Sequence, residues 1–182
     1  MTGGVYVERA LFMIGDQNTG KSTQLRSMFL DWRLGNQGKI PTARNVQNAY
    51  ALSNERWLYL RLTSPHEADE SMEKFLEKCR NEMQPYKRLA RRWNFAGALQ
   101  PIGTSALAGA PDVISGFASH FTPERVRVVI LSPDRSNKVM ARAALQSLIA
   151  LLRRAPGTEV MVVDATTRTG NGLLYADFFD FT

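Results

Sequence analysis

The chain has 182 residues, 44% hydrophobic and 22% charged, with a formal net charge of +6, the composition of an ordinary globular protein of a length that suits one domain. No apolar run approaches the ~20 residues of a membrane-spanning helix, and the amino-terminal residues lack the basic, apolar and small-residue blocks of a signal peptide, so a cytoplasmic location is expected. The single cysteine, Cys79, excludes an internal disulfide framework and a cysteine-based zinc cage.

In chain order, the first apolar run, residues 10–14, reads as a buried strand. Directly after it, Gly15-Asp16-Gln17-Asn18-Thr19-Gly20-Lys21-Ser22 matches the phosphate-loop pattern G-x-x-x-x-G-K-[ST] in full. Residues 23–33 then read as a helix with Leu25, Met28, Phe29 and Trp32 on one apolar stripe. Strand, loop and helix come in the order the motif requires. In such a loop the glycines let successive N–H groups turn inward toward an anion. Lys21 is expected to neutralise the terminal phosphates of a nucleotide, Ser22 to ligate the Mg²⁺ that bridges them, and Thr23 to support the loop. Nucleotide contacts are therefore assigned to Gly15, Asp16, Gln17, Asn18, Thr19, Gly20, Lys21, Ser22 and Thr23, with Lys21 also in a catalytic role.

A polar, glycine-bearing loop follows over residues 35–44. Two extended segments, residues 46–52 and 56–63, flank Ser53-Asn54-Glu55 and suit a hairpin. The next helix keeps Met72, Phe75, Leu76, Cys79 and Met83 on one face until Pro85 interrupts it, which sends Cys79 to the core. The basic run Lys87-Arg88-Leu89-Ala90-Arg91-Arg92, flanked by Tyr86 and Trp93, reads as a solvated helical turn, and the net charge leaves a nucleic-acid partner open. Residues 94–101 read as a strand, 103–110 as a small-residue loop and 111–121 as a short helix. Residues 127–131 form the near-continuous apolar run of a strand covered on both faces. An amphipathic helix over 137–154, a strand over 159–163, a polar turn and a short element over 173–179 complete the chain. Helices alternating with strands predict an α/β fold: a mostly parallel sheet with one antiparallel hairpin strand and helices on both faces.

Taken together, these pieces resemble the small Ras-like GTPases over nearly the whole chain, which implies a single P-loop nucleotide-binding domain across residues 1–182. The loop letters Gly-Asp-Gln are also similar to those of dynamin-like GTPases. In the Ras-like family a Pro-Thr after the first helix lends its threonine to the magnesium shell. Pro41-Thr42 stands at the matching place, so the resemblance implies that Thr42 joins Ser22 as a Mg²⁺ ligand. The second switch of the family, Asp-x-x-Gly, is replaced by Thr63-Ser64-Pro65-His66-Glu67-Ala68-Asp69. That stretch resembles the translation-factor version, with Thr63 for the aspartate, His66 for the glycine and Glu67 for the catalytic histidine. Glu67 is the candidate for positioning water, and a solvated acidic helix start is the other reading. The base-reading motif Asn/Thr-Lys-x-Asp is matched in position by Ser132-Pro133-Asp134-Arg135, and the last element, Ser-Ala-Lys, by Asp164-Ala165-Thr166. The resemblance thus implies base contacts from Asp134, Arg135, Ala165 and Thr166, with the Ala165 N–H facing the base. Asp134 as the cap of the following helix is the alternative.

The expected function is Mg²⁺-dependent purine nucleotide binding, GTP or GDP first, by a divergent switch with slow or absent hydrolysis and a protein partner or effector. Two other readings stay open. A P-loop ATPase or small-molecule kinase, binding ATP or ADP, is supported by the Asp134-Arg135 pair and the arginine-rich segment before Trp93. Against it, residues 94–100 end without the acid that such kinases carry on the strand beside the loop strand. A scaffold subunit that keeps the fold without hydrolysis is favoured by Thr63 and Ser132.

Overall fold

A computed structural model describes residues 5–34, 38, 40–41 and 49–180. Strand β1 (Val7–Ile14) leads into α1 (Lys21–Ser27), and a hairpin of β2 (Ala49–Ala51) and β3 (Arg56–Arg61) leads into α2 (Met72–Met83). Strands and helices then alternate: β4 (Arg92–Leu99), α3 (Ala110–Phe121), β5 (Arg125–Leu131), α4 (Arg142–Leu152), β6 (Thr158–Val163) and α5 (Gly172–Phe179). One six-stranded sheet results, in the order β2-β3-β4-β1-β5-β6. Every neighbouring pair is parallel except β2 with β3. This is the α/β architecture with one antiparallel strand that the alternation of elements predicts.

The period of two along each strand decides which core a side chain joins. From β1, Ala10, Phe12 and Ile14 face one layer, and Leu11 and Met13 face the other. The first layer is closed by α2, α3 and α4, through Phe75, Cys79, Val113, Phe117 and Leu148. The second is closed by α1 and α5, through Leu25, Tyr175 and Phe179. At the centre of the first layer the Phe117 ring stands 5.2 Å from Phe12 and 4.6 Å from Phe95, measured between centroids. Cys79 is fully buried there, and burial pushes its thiol up to about 12. Among the described residues, no helix is long and apolar enough to cross a membrane.

Two predicted helices are shorter than their apolar periodicity suggests, each because a side-chain carboxylate captures nearby backbone N–H groups. The helix expected over 23–33 ends at Ser27 and continues as the 3-10 turns Met28–Leu30 and Trp32–Leu34. Between them Asp31 is extended, and its Oδ1 accepts the Arg33 N–H at 2.9 Å. Trp32, expected on the apolar stripe, is consequently 72% exposed. The helix expected from residue 137 starts at Arg142, because Asp134 Oδ1 accepts the N–H groups of Ser136 and Lys138 at 2.7 and 3.0 Å. Asp134 therefore organises a loop and is no helix cap. In the hairpin, the Ser53 hydroxyl accepts the Arg56 N–H at 3.1 Å, and most of the polar loop over 35–44 lies outside the described residues.

Truncating the Phe117 ring, on which rings from two helices and two strands converge, leaves a cavity that rigid strands cannot refill. Phe117→Ala is expected to lower unfolding stability by about 3–5 kcal/mol, read from urea denaturation midpoints.

Candidate functional site

Because five strands run parallel, their carboxyl ends share one edge of the sheet, and the loops after β1, β3, β4, β5 and β6 gather there. The loop over 15–20 curls between Ile14 and the first residue of α1, Lys21. Both of its glycines answer steric demands. A Cβ on Gly15 would lie 2.5 Å from Thr19 Oγ1, and Gly20 sits at φ +98°, the left-handed region. The Thr19 hydroxyl donates to the Asp16 carbonyl at 2.8 Å and closes the curl. Among the described residues, no acceptor meets the backbone N–H groups of residues 17, 18 and 20–23.

The Lys21 side chain folds back over this loop and is only 4% exposed. Its ammonium donates to the carbonyls of Gly15 and Asp16 at 3.0 and 2.6 Å, and to Glu67 Oε1 at 3.3 Å. Three acceptors thus match its three protons. Burial pulls the Lys21 ammonium below the ordinary lysine range, and the Glu67 carboxylate offsets part of that.

Glu67 arrives from the segment after β3, although β4 stands between β3 and β1. Two contacts carry that segment across. Ser22 Oγ donates to the Leu62 carbonyl at 3.0 Å. His66, 5% exposed, places Nε2 at 2.8 Å from the Ala108 carbonyl, so Nε2 carries the proton and Nδ1 accepts from the Ser64 hydroxyl at 3.1 Å. Farther along, buried Glu70 pairs with Arg61 and Lys78, and α2 begins with Ser71 as its cap. In the acidic stretch before α2, Glu67 and Glu70 are thus paired with cations, while residues 67–69 stay exposed as a solvated helix start would be. Ser22, next in sequence to Lys21, carries a hydroxyl oxygen of the kind Mg²⁺ takes together with phosphate oxygens. Thr42, the other expected ligand, lies outside the described residues. Among those residues no group of three or more His, Cys, Asp or Glu side chains forms a metal cage.

The loops after β5 and β6 complete the rim. The Arg135 N–H donates to the Thr19 carbonyl at 3.3 Å, and Lys138 Nζ donates to Asp16 Oδ2 at 2.9 Å. A cleft of about 350 Å³ gathers Gly20, Thr23, Arg135, Ala165 and Thr166, residues up to 146 positions apart, together with Gln24 and Arg168. Asp134 faces a different cavity, of about 660 Å³, shared with Gly15, Asp16 and Thr19 and walled by α3 and α4. The Ala165 N–H, expected to face a base, donates instead to the Pro133 carbonyl at 2.8 Å. The N–H and hydroxyl of Thr166 both donate to Asp164 Oδ1, at 2.8 and 2.6 Å. Gln24 escapes sequence reasoning, because its place on the helix follows no apolar periodicity. It is 1% exposed, and its Nε2 donates to the Thr167 and Ala165 carbonyls at 2.7 and 3.4 Å, bracing the loop after β6.

Burial, reinforced by the positive charge of Lys21, holds the His66 imidazole below its ordinary value. The unfolded chain thus binds this proton at a higher pH than the folded one, so stability rises with pH through the window below about 6.5. Acidification from pH 7 to pH 5 is expected to cost the wild type more stability than His66→Gln, with urea midpoints at both pH values as the check. No family model matches the chain, and comparison with curated proteins and with solved structures finds no match either.

Proposed function

We propose that this chain binds a purine nucleoside triphosphate with Mg²⁺ through the loop over 15–23, as a divergent Ras-like P-loop protein of the cytoplasm with slow or absent hydrolysis. One observation carries the reading: a buried ammonium, Lys21, closes on a glycine loop most of whose N–H groups lack acceptors among the described residues. Phosphate oxygens would accept from these N–H groups and bring the negative charge that the ammonium and the helix start favour. On entry a phosphate takes over the Lys21 proton now given to Glu67. The freed carboxylate, still held close by the His66 contacts, then lies beside the terminal phosphate, where it can orient water. Bound Mg²⁺ would be held by Ser22 and would neutralise charge developing between the phosphates. GTP/GDP and ATP/ADP both remain candidates, and the exposed Trp32 supports a protein partner or effector.

The test is a titration of the purified protein with labelled GDP, GTP, ADP and ATP, with and without Mg²⁺. A triphosphate is expected to bind, and Lys21→Ala to weaken it at least tenfold, ~1.4 kcal/mol. Binding of none of the four sinks the reading. Where turnover is seen, Glu67→Ala is expected to slow single-turnover hydrolysis by about tenfold or more, within the range of a general base. Undiminished turnover removes Glu67 from the chemistry.

A further inference from the structure

The basic run over 87–92 lies at the other end of the sheet from the glycine loop, where the amino-terminal ends of the parallel strands meet. Its backbone is pinned between the 3-10 turn Gln84–Tyr86 and the start of β4. The N–H groups of Arg91 and Arg92 both donate to the Glu55 carbonyl at 3.0 Å, and Ala90 is buried. Behind the run, the Tyr86 ring stands 4.8 Å from Trp57 and 6.3 Å from Trp93, measured between centroids. Lys87, Arg88 and Arg91 are thereby held around a concavity of about 410 Å³, which Tyr6 and Trp93 also line. Glu8 pairs with Arg56 and Arg92, each at 3.4 Å, and Glu55 with Arg91 at 3.3 Å. Lys87 and Arg88 are exposed and, among the described residues, have no carboxylate within ion-pair distance. Trp93 is 1% exposed, and its Nε1 is buried with no acceptor among those residues. The Tyr6 ring is 41% exposed, and its hydroxyl is tied to Glu124.

We propose that this concavity takes one unit of a single-stranded nucleic acid, with its phosphates on Lys87 and Arg88 and its base against the Tyr6 ring. The site lies at the opposite edge of the sheet from the glycine loop and does not depend on the nucleotide reading. Two unpaired cations and an orphaned indole N–H ask for the same thing, an acceptor that carries negative charge, and a phosphate oxygen supplies it. An exposed ring beside them is a stacking platform that any base can use. The carboxylates at the border, Glu55 and Glu124, are already engaged by Arg91 and Tyr6, so they repel a phosphate less than free ones would. An anionic membrane would meet Lys87, Arg88 and Leu89, which is 60% exposed, but a flat surface leaves the concavity, its ring and the indole unused. A strand supplies both phosphate and base.

The experiment follows the fluorescence anisotropy of a labelled oligouridylate of about 16 nucleotides over a salt series, with thermal melts to verify that each variant folds. Wild type is expected to bind at about 50 mM salt, with log affinity falling against log salt at a slope of about −1.4, as two phosphate contacts imply. The double variant Lys87→Ala/Arg88→Ala, which changes two exposed residues, is expected to bind at least tenfold more weakly and with little salt dependence. Tyr6→Leu is expected to weaken the oligonucleotide about fivefold or more, while Tyr6→Phe, which keeps the ring, binds as wild type does. Neither Tyr6 variant is expected to alter binding of heparin, a polyanion without bases. No binding at low salt overturns the proposal, and so does unchanged affinity in the double variant or in Tyr6→Leu. A Tyr6→Leu loss that extends equally to heparin overturns the stacking. Uridine monophosphate binding as tightly as the oligonucleotide makes the site one for a free nucleotide, and binding to phosphatidylserine vesicles in place of the oligonucleotide hands the patch to a membrane. Either result overturns the strand. A loss in Lys21→Ala as large as in the double variant overturns it too, by moving the phosphates to the glycine loop.

Discussion

A buried ammonium tolerates no vacancy among its acceptors, and Lys21 imposes that condition on the whole carboxyl edge of the sheet. Two of its acceptors are carbonyls of its own loop, which fixes the curl of residues 15–20. The third is Glu67, which must be delivered from beyond β4. Delivery explains otherwise unrelated details. The Ser22 hydroxyl grips the end of β3, the buried His66 ties the segment to the loop after β4, and Glu70 is anchored by Arg61 and Lys78. Each polar group spent there is one whose burial would be costly were its partner absent.

The sheet makes this convergence possible at little cost. Its central strands are covered on both faces by helices, so most of their side chains are apolar, with the buried polar residues Glu8, Arg9, Asn94 and Arg127 kept to their amino-terminal halves. Phenylalanines from β1, β4, α2 and α3 fill one layer, while the other is closed by a short helix and α5. The same strand ends that bury these side chains launch the functional loops. Rigidity of the core is thereby passed to the site through the first residue or two of each loop.

Much of this was legible before any coordinates. Continuous apolar runs located β1 and β5, helical spacing located α2, turn signals bounded β4 and α3, and the glycine-lysine motif marked the loop that the structure folds around Lys21. The misjudged helix limits share one physical cause: an Asp side chain bonding backbone N–H groups two to four residues on, which apolar periodicity does not register. Long-range pairing was equally silent. Nothing local in the letters around Glu67 says that it meets Lys21, 46 residues away. Gln24 was missed because its burial comes from a loop that lies 141 residues downstream. Resemblance located the loops of the rim but not the bonding of individual groups, as the Ala165 N–H shows by turning to Pro133.

The tie between the loop over 15–20 and the chain after β5 has a mechanical consequence. One main-chain bond, Arg135 to Thr19, and one charge pair, Lys138 to Asp16, join the two segments side by side. Residues 134–138 run on to α4 through a backbone pinned by Asp134 and Ser132. The approach to α4 and the glycine loop therefore share one seam, and the mouth of the pocket is bounded by chain from two strands rather than by the loop alone.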